Sequence, residues 1–267
     1  HVTSLTMRNG GLGAEHLPFL DAFRQVRYLN LQDNLLTAVP QALKDMRHLT
    51  DLSLNNNRIE LDAVAVDRLK NLTRLRALGL RGNPLKLIPD VSRMPHLQVL
   101  VLSDAGLDTW PVGLFSQSRP RSIFIDLSGN PISRIPDVAP GSFRAELLAR
   151  TLISREPQWI SAENLDLLKT YIESVGMDPE RPYPPRGVLD SSDWAEGMTE
   201  RQWQEDQQVW NAVEDEFDSV PFFNEVRRLT ESADFKAGGT YQTELTAKVW
   251  RMLEAMASDT ELRIKLF

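Results

Sequence analysis

The chain has 267 residues, of which 42% are hydrophobic and 25% are charged, an ordinary composition for a folded protein long enough to form two units. Its formal net charge of −7 disfavours nucleic-acid binding, since phosphate contacts need a concentrated basic face, and no apolar run approaches the length of a membrane span. It contains no Cys, which excludes disulfides, thiolate zinc sites and a cysteine nucleophile within these residues.

The first half of the chain repeats one pattern six times. The copies begin at Val2, Val26, Leu49, Leu75, Leu97 and Ser122, with apolar residues at their fourth, sixth and eleventh positions. The ninth positions are Gly10, Asn34, Asn57, Asn83, Ala105 and Asn130, at intervals of 24, 23, 26, 22 and 25 residues. This is the pattern of the leucine-rich repeat. We therefore predict an α/β leucine-rich repeat solenoid of about six repeats over residues 1–140, with short parallel strands on a concave face.

Asparagine at the ninth position indicates how the coils hold together. A short strand cannot bury its apolar side alone, so each coil must stack on the next. At four of the six turns an Asn amide is placed to bond the backbone of the adjacent coil. The chain opens at His1 inside the first repeat, without a polar capping segment or a signal peptide. We expect this N-terminus to have been cut from a longer protein.

Helical spacing replaces the repeats after Pro136. Apolar residues in 143–152 and in 165–175 each fall on one face of a predicted helix, and the second helix ends at Gly176. We predict that the two helices form a cap over residues 141–177. The alternative is that their apolar faces form a groove for a partner.

A proline-rich connector is predicted over residues 178–198, because closely spaced prolines hold the chain extended. The alternative is a proline-rich ligand for an aromatic groove. An all-α region follows over residues 199–267. Its predicted features are a capping box at Thr199, a break at 219–221, a long amphipathic helix over 241–256, and a last helix capped by Asp259.

Side chains on the concave face form the candidate binding site. Residues between and after the strand leucines point to this face, because side chains alternate along a strand. We predict that ten of them bind a protein substrate: Arg8, Tyr28, Asn30, Gln32, Asp51, Asn55, Arg81, Val101, Phe124 and Asp126. Their mixture of Tyr, Arg, Phe and amides is typical of a protein-binding face. The alternative is that solvated strand positions simply carry polar residues.

The sequence has no familiar catalytic or metal-binding constellation. A His-Glu-x-x-His motif, a glycine-rich phosphate loop and a Gly-x-Ser-x-Gly elbow are all absent. His48 and His96 occupy matching places before a repeat, which a polar position on the convex side explains better than a metal site. Asp215 and Glu216 lie among other charges and indicate a solvated helix face. We predict no metal, no cofactor and no catalytic residue within the chain.

The end of the chain resembles a known family. The segments that carry the resemblance are Phe222-Phe223, Leu229-Thr230, Ala233-Asp234-Phe235, Leu245-Thr246-Ala247, Val249 to Met256 and Glu261-Leu262-Arg263. They resemble the opening of the NEL (novel E3 ligase) domain of bacterial secreted ubiquitin ligases, and their place after leucine-rich repeats matches the domain order of that family. The connector, with Leu189-Asp190, resembles the larger, toxin-like members.

The resemblance implies a helical domain that carries a catalytic cysteine in a Cys-x-Asp loop. In the family, this cysteine takes ubiquitin from a host E2 enzyme as a thioester and passes it to a substrate lysine. Sulfur suits both steps, because a thiolate is nucleophilic near neutral pH and is a good leaving group. The family places the cysteine shortly after the Glu-Leu-Arg helix, so we expect it C-terminal to Phe267 and expect these 267 residues alone to be inactive.

Two hypotheses follow from the sequence. In the first, the chain is part of a bacterial virulence effector, secreted into the host cell cytoplasm, whose repeats bind a host protein and whose residues 199–267 begin the ligase domain. In the second, it is a non-catalytic leucine-rich repeat module with a helical cap, which the absence of Cys favours.

Overall fold

The computed structural model describes residues 2–120, 123–180, 191–214, 216 and 219–267. The chain divides into two units, His1–Pro184 and Pro185–Phe267. Some predictions concern residues outside the described part: His1, Ser122 at the start of the sixth repeat, residues 181–190 of the connector, and Asp215.

A parallel sheet of seven strands, in chain order, runs through the described part of the first unit. The strands are β1 (Ser4–Thr6), β2 (Tyr28–Asn30), β3 (Asp51–Ser53), β4 (Ala77–Gly79), β5 (Val99–Val101), β6 (Phe124–Asp126) and β7 (Thr151–Leu152). The register aligns the central residues of β1–β6, which are Leu5, Leu29, Leu52, Leu78, Leu100 and Ile125. The predicted leucine-rich repeat solenoid is confirmed.

The geometry that the coils share depends on the buried asparagines. Asn57 Nδ2 donates to the carbonyl of Leu31 in the preceding coil at 3.1 Å and to that of Leu54 at 3.0 Å. Its Oδ1 accepts the backbone N–H of Leu36 at 3.0 Å. Equivalent contacts are made by Asn34, Asn83 and Asn130. The predicted bonding of Asn to the adjacent coil is confirmed, and it satisfies backbone groups that the curved core would otherwise leave unpaired.

The convex side changes character along the solenoid. The first three returns contain a 3-10 helix at Ala14–Ala22, a 3-10 helix at Gln41–Asp45 and the helix α1 at Ala63–Lys70. The described residues of the fourth and fifth returns form no helix, and the partly buried Arg119 guanidinium of the fifth donates to the carbonyl oxygens of Val91 and Met94 in the fourth and of Gly113 and Leu114 in its own. One cationic side chain thus satisfies backbone acceptors where no helix is present. Sequence analysis did not identify this role.

Two helices follow the last repeat. They are α2 (Phe143–Arg150) and α3 (Ala162–Ser174), and their N-termini are capped by the hydroxyls of Ser142 and Ser161. Their buried residues join the leucine core of the repeats. Part of the prediction was wrong: Leu152 is not on the first helix, because the chain leaves α2 at Thr151 and adds β7 to the sheet, and Phe143 is 44% exposed.

Every regular element that the structure describes in the second unit is a helix. A 3-10 helix at Ser191–Trp194 precedes α4 (Glu200–Glu214), α5 (Ser219–Leu229), α6 (Ala233–Ala237), α7 (Gly239–Ser258) and α8 (Thr260–Leu266). Trp194, Trp210, Phe223 and Trp250 form its buried core, together with aliphatic residues of α7. The predicted break at 219–221 was wrong: α5 begins at Ser219, since Pro221 is tolerated in the first helical turn.

Replacement of Leu54 by Ala tests the buried core of the repeats. Leu54 is completely buried, so the cavity that remains should lower the free energy of unfolding of the first unit by about 2–5 kcal/mol. Urea unfolding followed by circular dichroism measures the change. The control is Leu35→Ala, because Leu35 is 44% exposed and its loss should cost less than about 0.5 kcal/mol. Equal losses in the two variants would contradict the assigned core.

Candidate binding surface and helical unit

The strand register assembles the ten predicted substrate-binding residues on one face of the sheet. The first row across the strands includes Tyr28, Asp51 and Phe124, and the second includes Asn30, Val101 and Asp126. Arg8, Gln32, Asn55 and Arg81 follow just after their strands, where the backbone pairing of neighbouring coils continues. We call these residues the concave surface. Their juxtaposition is what alternation along each strand predicts.

Burial divides the concave surface into two groups. Arg8, Tyr28, Asp51, Arg81 and Phe124 are partly exposed. The other five are buried, with exposed fractions between 1% and 4%: Asn30, Gln32, Asn55, Val101 and Asp126. Little of these five side chains is accessible to a partner, because neighbouring side chains on the sheet crowd them. A role in substrate binding stays a prediction for all ten residues.

A polar network holds Arg81 in place on the concave surface. Its Nε donates to Ser103 Oγ at 2.9 Å, and its Nη2 lies 3.5 Å from Asp126 Oδ2. Asp126 Oδ1 in turn accepts from the backbone N–H and the hydroxyl of Ser128 at 2.9 and 2.6 Å. Asp126 is thus a buried carboxylate with charged and neutral donors around it. It positions Arg81, which is the more exposed member of the pair.

A second network lies at the end of β2. Arg8 Nη2 is 3.4 Å from Asp33 Oδ2, and Asn56 Nδ2 donates to Asp33 Oδ1 at 2.9 Å. Gln32 Nε2 donates to the same carboxylate at 3.3 Å and its Oε1 accepts from Ser53 Oγ at 3.2 Å. Asp33 has a positive φ of 59°, a conformation that Asp tolerates because its short side chain bonds locally. Three coils are therefore linked through one carboxylate.

Sequence reasoning missed the middle of the concave surface. In the register, Ala77 and Gly79 of β4 occupy the same two rows as Tyr28 and Asn30. They are not among the ten predicted residues, because Ala and Gly offer little side chain for contact with a partner. Alternation along the strand was the signal that identifies them. The side chains of this strand leave the centre of the surface with small residues between larger ones.

Within the described residues, no group of three or more His, Asp or Glu side chains is arranged to hold a metal ion. His48 Nδ1 instead lies 3.2 Å from Arg74 Nη1 of the next coil. The helices that the structure describes include none that is both long enough and apolar enough to cross a membrane.

A buried carboxylate joins two helices of the second unit. Glu214, at the end of α4, accepts from Trp210 Nε1 at 2.7 Å and from Arg227 Nη2 of α5 at 2.9 Å. Its own carbonyl accepts from Ser219 Oγ at 2.6 Å. Trp250 Nε1 of α7 donates to the carbonyl of Trp194 at 2.8 Å. The indole N–H groups of Trp210 and Trp250 are thus paired, which helps to fix how the helices of this unit pack.

Asp206 lies in an unfavourable electrostatic environment on α4. Burial raises the pKa of this carboxyl, and the nearby carboxylates of Glu254 and Glu205 raise it further. No cation is among the causes of the shift. The side chain is still partly exposed, so the repulsion is screened by solvent.

Family models match two parts of the chain. A model described as "C-terminal novel E3 ligase, LRR-interacting" (NEL) matches residues 194–267, and a leucine-rich repeat model matches residues 24–85. The first match begins at the buried Trp194 and falls within the second unit. The resemblance to NEL proteins is thereby confirmed.

Individual proteins match parts of the chain. The volume-regulated anion channel subunit LRRC8D of Rattus norvegicus is 31% identical over 117 residues, which are 43% of this chain. The chain spans 14% of the length of that relative. Among solved structures, an internalin from Listeria monocytogenes has a TM-score of 0.43 at 20% identity, over 63% of this chain and 46% of the other. The ectodomain of the receptor kinase GASSHO1/SCHENGEN3 from Arabidopsis thaliana has a TM-score of 0.41 at 22% identity, over 55% and 17%.

Replacement of Asp206 by Asn tests the charge repulsion on α4. A carboxyl whose pKa is higher in the folded state destabilises that state once it is ionised. Asp206→Asn should therefore raise the free energy of unfolding at neutral pH, and the gain should disappear as the pH falls through the raised pKa. Urea unfolding at several pH values measures this. Glu231→Gln, at an exposed Glu, is the control, and a gain for Asp206→Asn that persists in acid would contradict the cause given.

Proposed function

We propose that the parent protein is a bacterial effector E3 ubiquitin-protein ligase. The support is that the chain combines leucine-rich repeats with an NEL-type region. The observation that carries the proposal is the NEL match over residues 194–267, which falls within the tryptophan-centred helical unit. In this function the repeats select a protein substrate and the helical unit belongs to the transferase domain.

The concave surface is the proposed substrate site. Its partly exposed residues include Tyr28, Phe124 and Arg81, and aromatic and Arg side chains contribute most to protein interfaces. Arg81 is positioned by a buried carboxylate, so little side-chain entropy remains to be lost on binding.

The transfer chemistry requires a thiolate in two steps. In the first, the thiolate attacks the carbonyl carbon of the thioester between an E2 enzyme and ubiquitin, and the E2 cysteine leaves as a thiolate. In the second, the neutral amine of a substrate lysine attacks the carbonyl carbon of the new thioester and loses a proton. An isopeptide bond forms, and the ligase cysteine leaves as a thiolate. The 267 residues contain no Cys, and the proposal places this thiol C-terminal to Phe267.

The partners and location follow from the same proposal. Ubiquitin and a host E2 enzyme are partners of the parent protein, and a host protein is the substrate of the repeats. We propose that the protein is secreted by bacteria and acts as a virulence factor in the host cell cytoplasm. The second candidate function is a non-catalytic interaction module, which the absence of Cys from the chain favours.

A thioester assay separates the two candidate functions. The parent polypeptide, extended past Phe267 through a Cys-x-Asp sequence, is incubated with ubiquitin, ATP, an E1 enzyme and an E2 enzyme. It should become covalently linked to ubiquitin, and dithiothreitol should cleave the link. The same polypeptide with that cysteine replaced by Ala, and the 267 residues alone, should form no such adduct. An extended polypeptide that forms no adduct, or one that persists after the replacement, would reject the ligase and leave the interaction module.

A capture assay tests the concave surface. The double variant Tyr28→Ala, Asp51→Ala should reduce capture of proteins from host lysate about ten-fold or more, because interface energy concentrates in few residues. The matched control is Tyr241→Ala, Asp108→Ala, at exposed positions that are not among the residues of this surface. Quantitative mass spectrometry compares the captured proteins, and thermal unfolding checks that both variants fold. Equal capture by the two variants would assign substrate binding to another surface.

A further inference from the structure

The residues that immediately precede the strands are aligned from one coil to the next by backbone hydrogen bonds. The backbone N–H of Thr50 donates to the carbonyl of Arg27 at 2.8 Å, and that of Arg76 donates to the carbonyl of Thr50 at 2.7 Å. The N–H of Gln98 donates to the carbonyl of Arg76 at 2.7 Å. These residues therefore form one line at the edge where the strands begin, with neighbouring coils about 4.8 Å apart.

Arginine is concentrated at this edge. Arg24 and Arg27 precede β2, Arg47 precedes β3, and Arg74 and Arg76 precede β4. Arg74 contacts His48 of the preceding coil at 3.2 Å, which continues the stacking in a second line. We call these five arginines the basic edge.

The basic edge is exposed and has an excess of positive charge. All five arginines are exposed, and Arg24, Arg27 and Arg47 make no ion pair with any residue that the structure describes. Arg76 lies 3.5 Å from Asp51, but 55% of its side chain is exposed. The strand-leading segments 21–27, 44–50, 67–76 and 90–98 hold nine Lys or Arg and four Asp, whereas the whole chain has a net charge of −7.

The composition of the basic edge indicates the kind of partner. The exposed residues interleaved with the arginines are polar, including Gln25 and Gln98, and a protein interface needs an apolar or aromatic core that this edge lacks. Its five arginines lie in turns rather than on a helix or β-ribbon that could enter a DNA groove, and Phe23, the aromatic residue of these segments, is only partly exposed and packs against the leucine core. A lipid surface needs neither, because anionic headgroups attract basic residues by charge alone.

We propose that the basic edge docks the first unit on a membrane surface rich in anionic phospholipid. The guanidinium groups pair with headgroup phosphates and carboxylates, for which their planar geometry is suited. The concave surface lies on the strand face and meets this edge at Asp51, which is 3.5 Å from Arg76, so the strand face beyond that contact stays available to a protein. Each arginine near the surface strengthens membrane partitioning about five-fold.

Vesicle co-sedimentation of the whole chain tests this proposal. The probes are vesicles of phosphatidylcholine with phosphatidylserine and vesicles of phosphatidylcholine alone. The chain should sediment with the first and not with the second, and added salt should release it. Arg24→Gln, Arg27→Gln, Arg47→Gln together should weaken partitioning about one-hundred-fold.

The matched control removes the same charge elsewhere. Arg58→Gln, Arg134→Gln, Arg201→Gln together change exposed arginines outside the basic edge, and partitioning should stay within about two-fold of the unchanged chain. Equal weakening by both triple variants would overturn the proposal, as would a lack of binding to the anionic vesicles. Binding of duplex DNA at the same salt concentration, lost in the first triple variant, would also overturn the assignment to lipid.

Discussion

Stacking of each coil on its neighbours is the constraint on which the first unit depends. The three-residue strands are too short to be stable singly, and their buried leucines form a core only when the coils are aligned. The asparagine amides enforce that alignment, because each one bonds backbone groups of two coils at once. The backbone positions that carry the side chains of the concave surface are therefore held at fixed distances from one another, whichever amino acids occupy them.

The second unit is stabilised in a different way. Its helices converge on indole rings, with the Trp210 and Trp250 centroids 5.8 Å apart, and the N–H of each of these rings is hydrogen-bonded inside the core. The pairing of Glu214 with Arg227 adds a directional contact between α4 and α5. Breaking such a buried pair is costlier than its net contribution suggests, since one charge is left without a partner. Because its helices share this core, the second unit is compact in its own right.

The repeats were predictable from sequence because their period, register and asparagines all express one local rule. Alternation along the strands also identified which residues share the concave surface. It did not predict the burial of Asn30, Val101 or Asp126, because that depends on the size and direction of side chains in neighbouring coils. The strand β7 was missed since Leu152 also fits the helical period before it. The role of Arg119 depends on carbonyl groups from two parts of the chain and leaves no local pattern.

The asparagine contacts have a consequence for how such a surface changes over time. The amide of Asn83 bonds only main-chain atoms: its Nδ2 donates to the carbonyls of Leu54, Leu80 and Arg81, and its Oδ1 accepts from Ile59 N–H. Main-chain atoms are the same for every amino acid, so mutations on the outer faces of the strands leave this scaffold intact. Successive mutations on the concave surface can therefore change which ligand is bound while each intermediate sequence still folds.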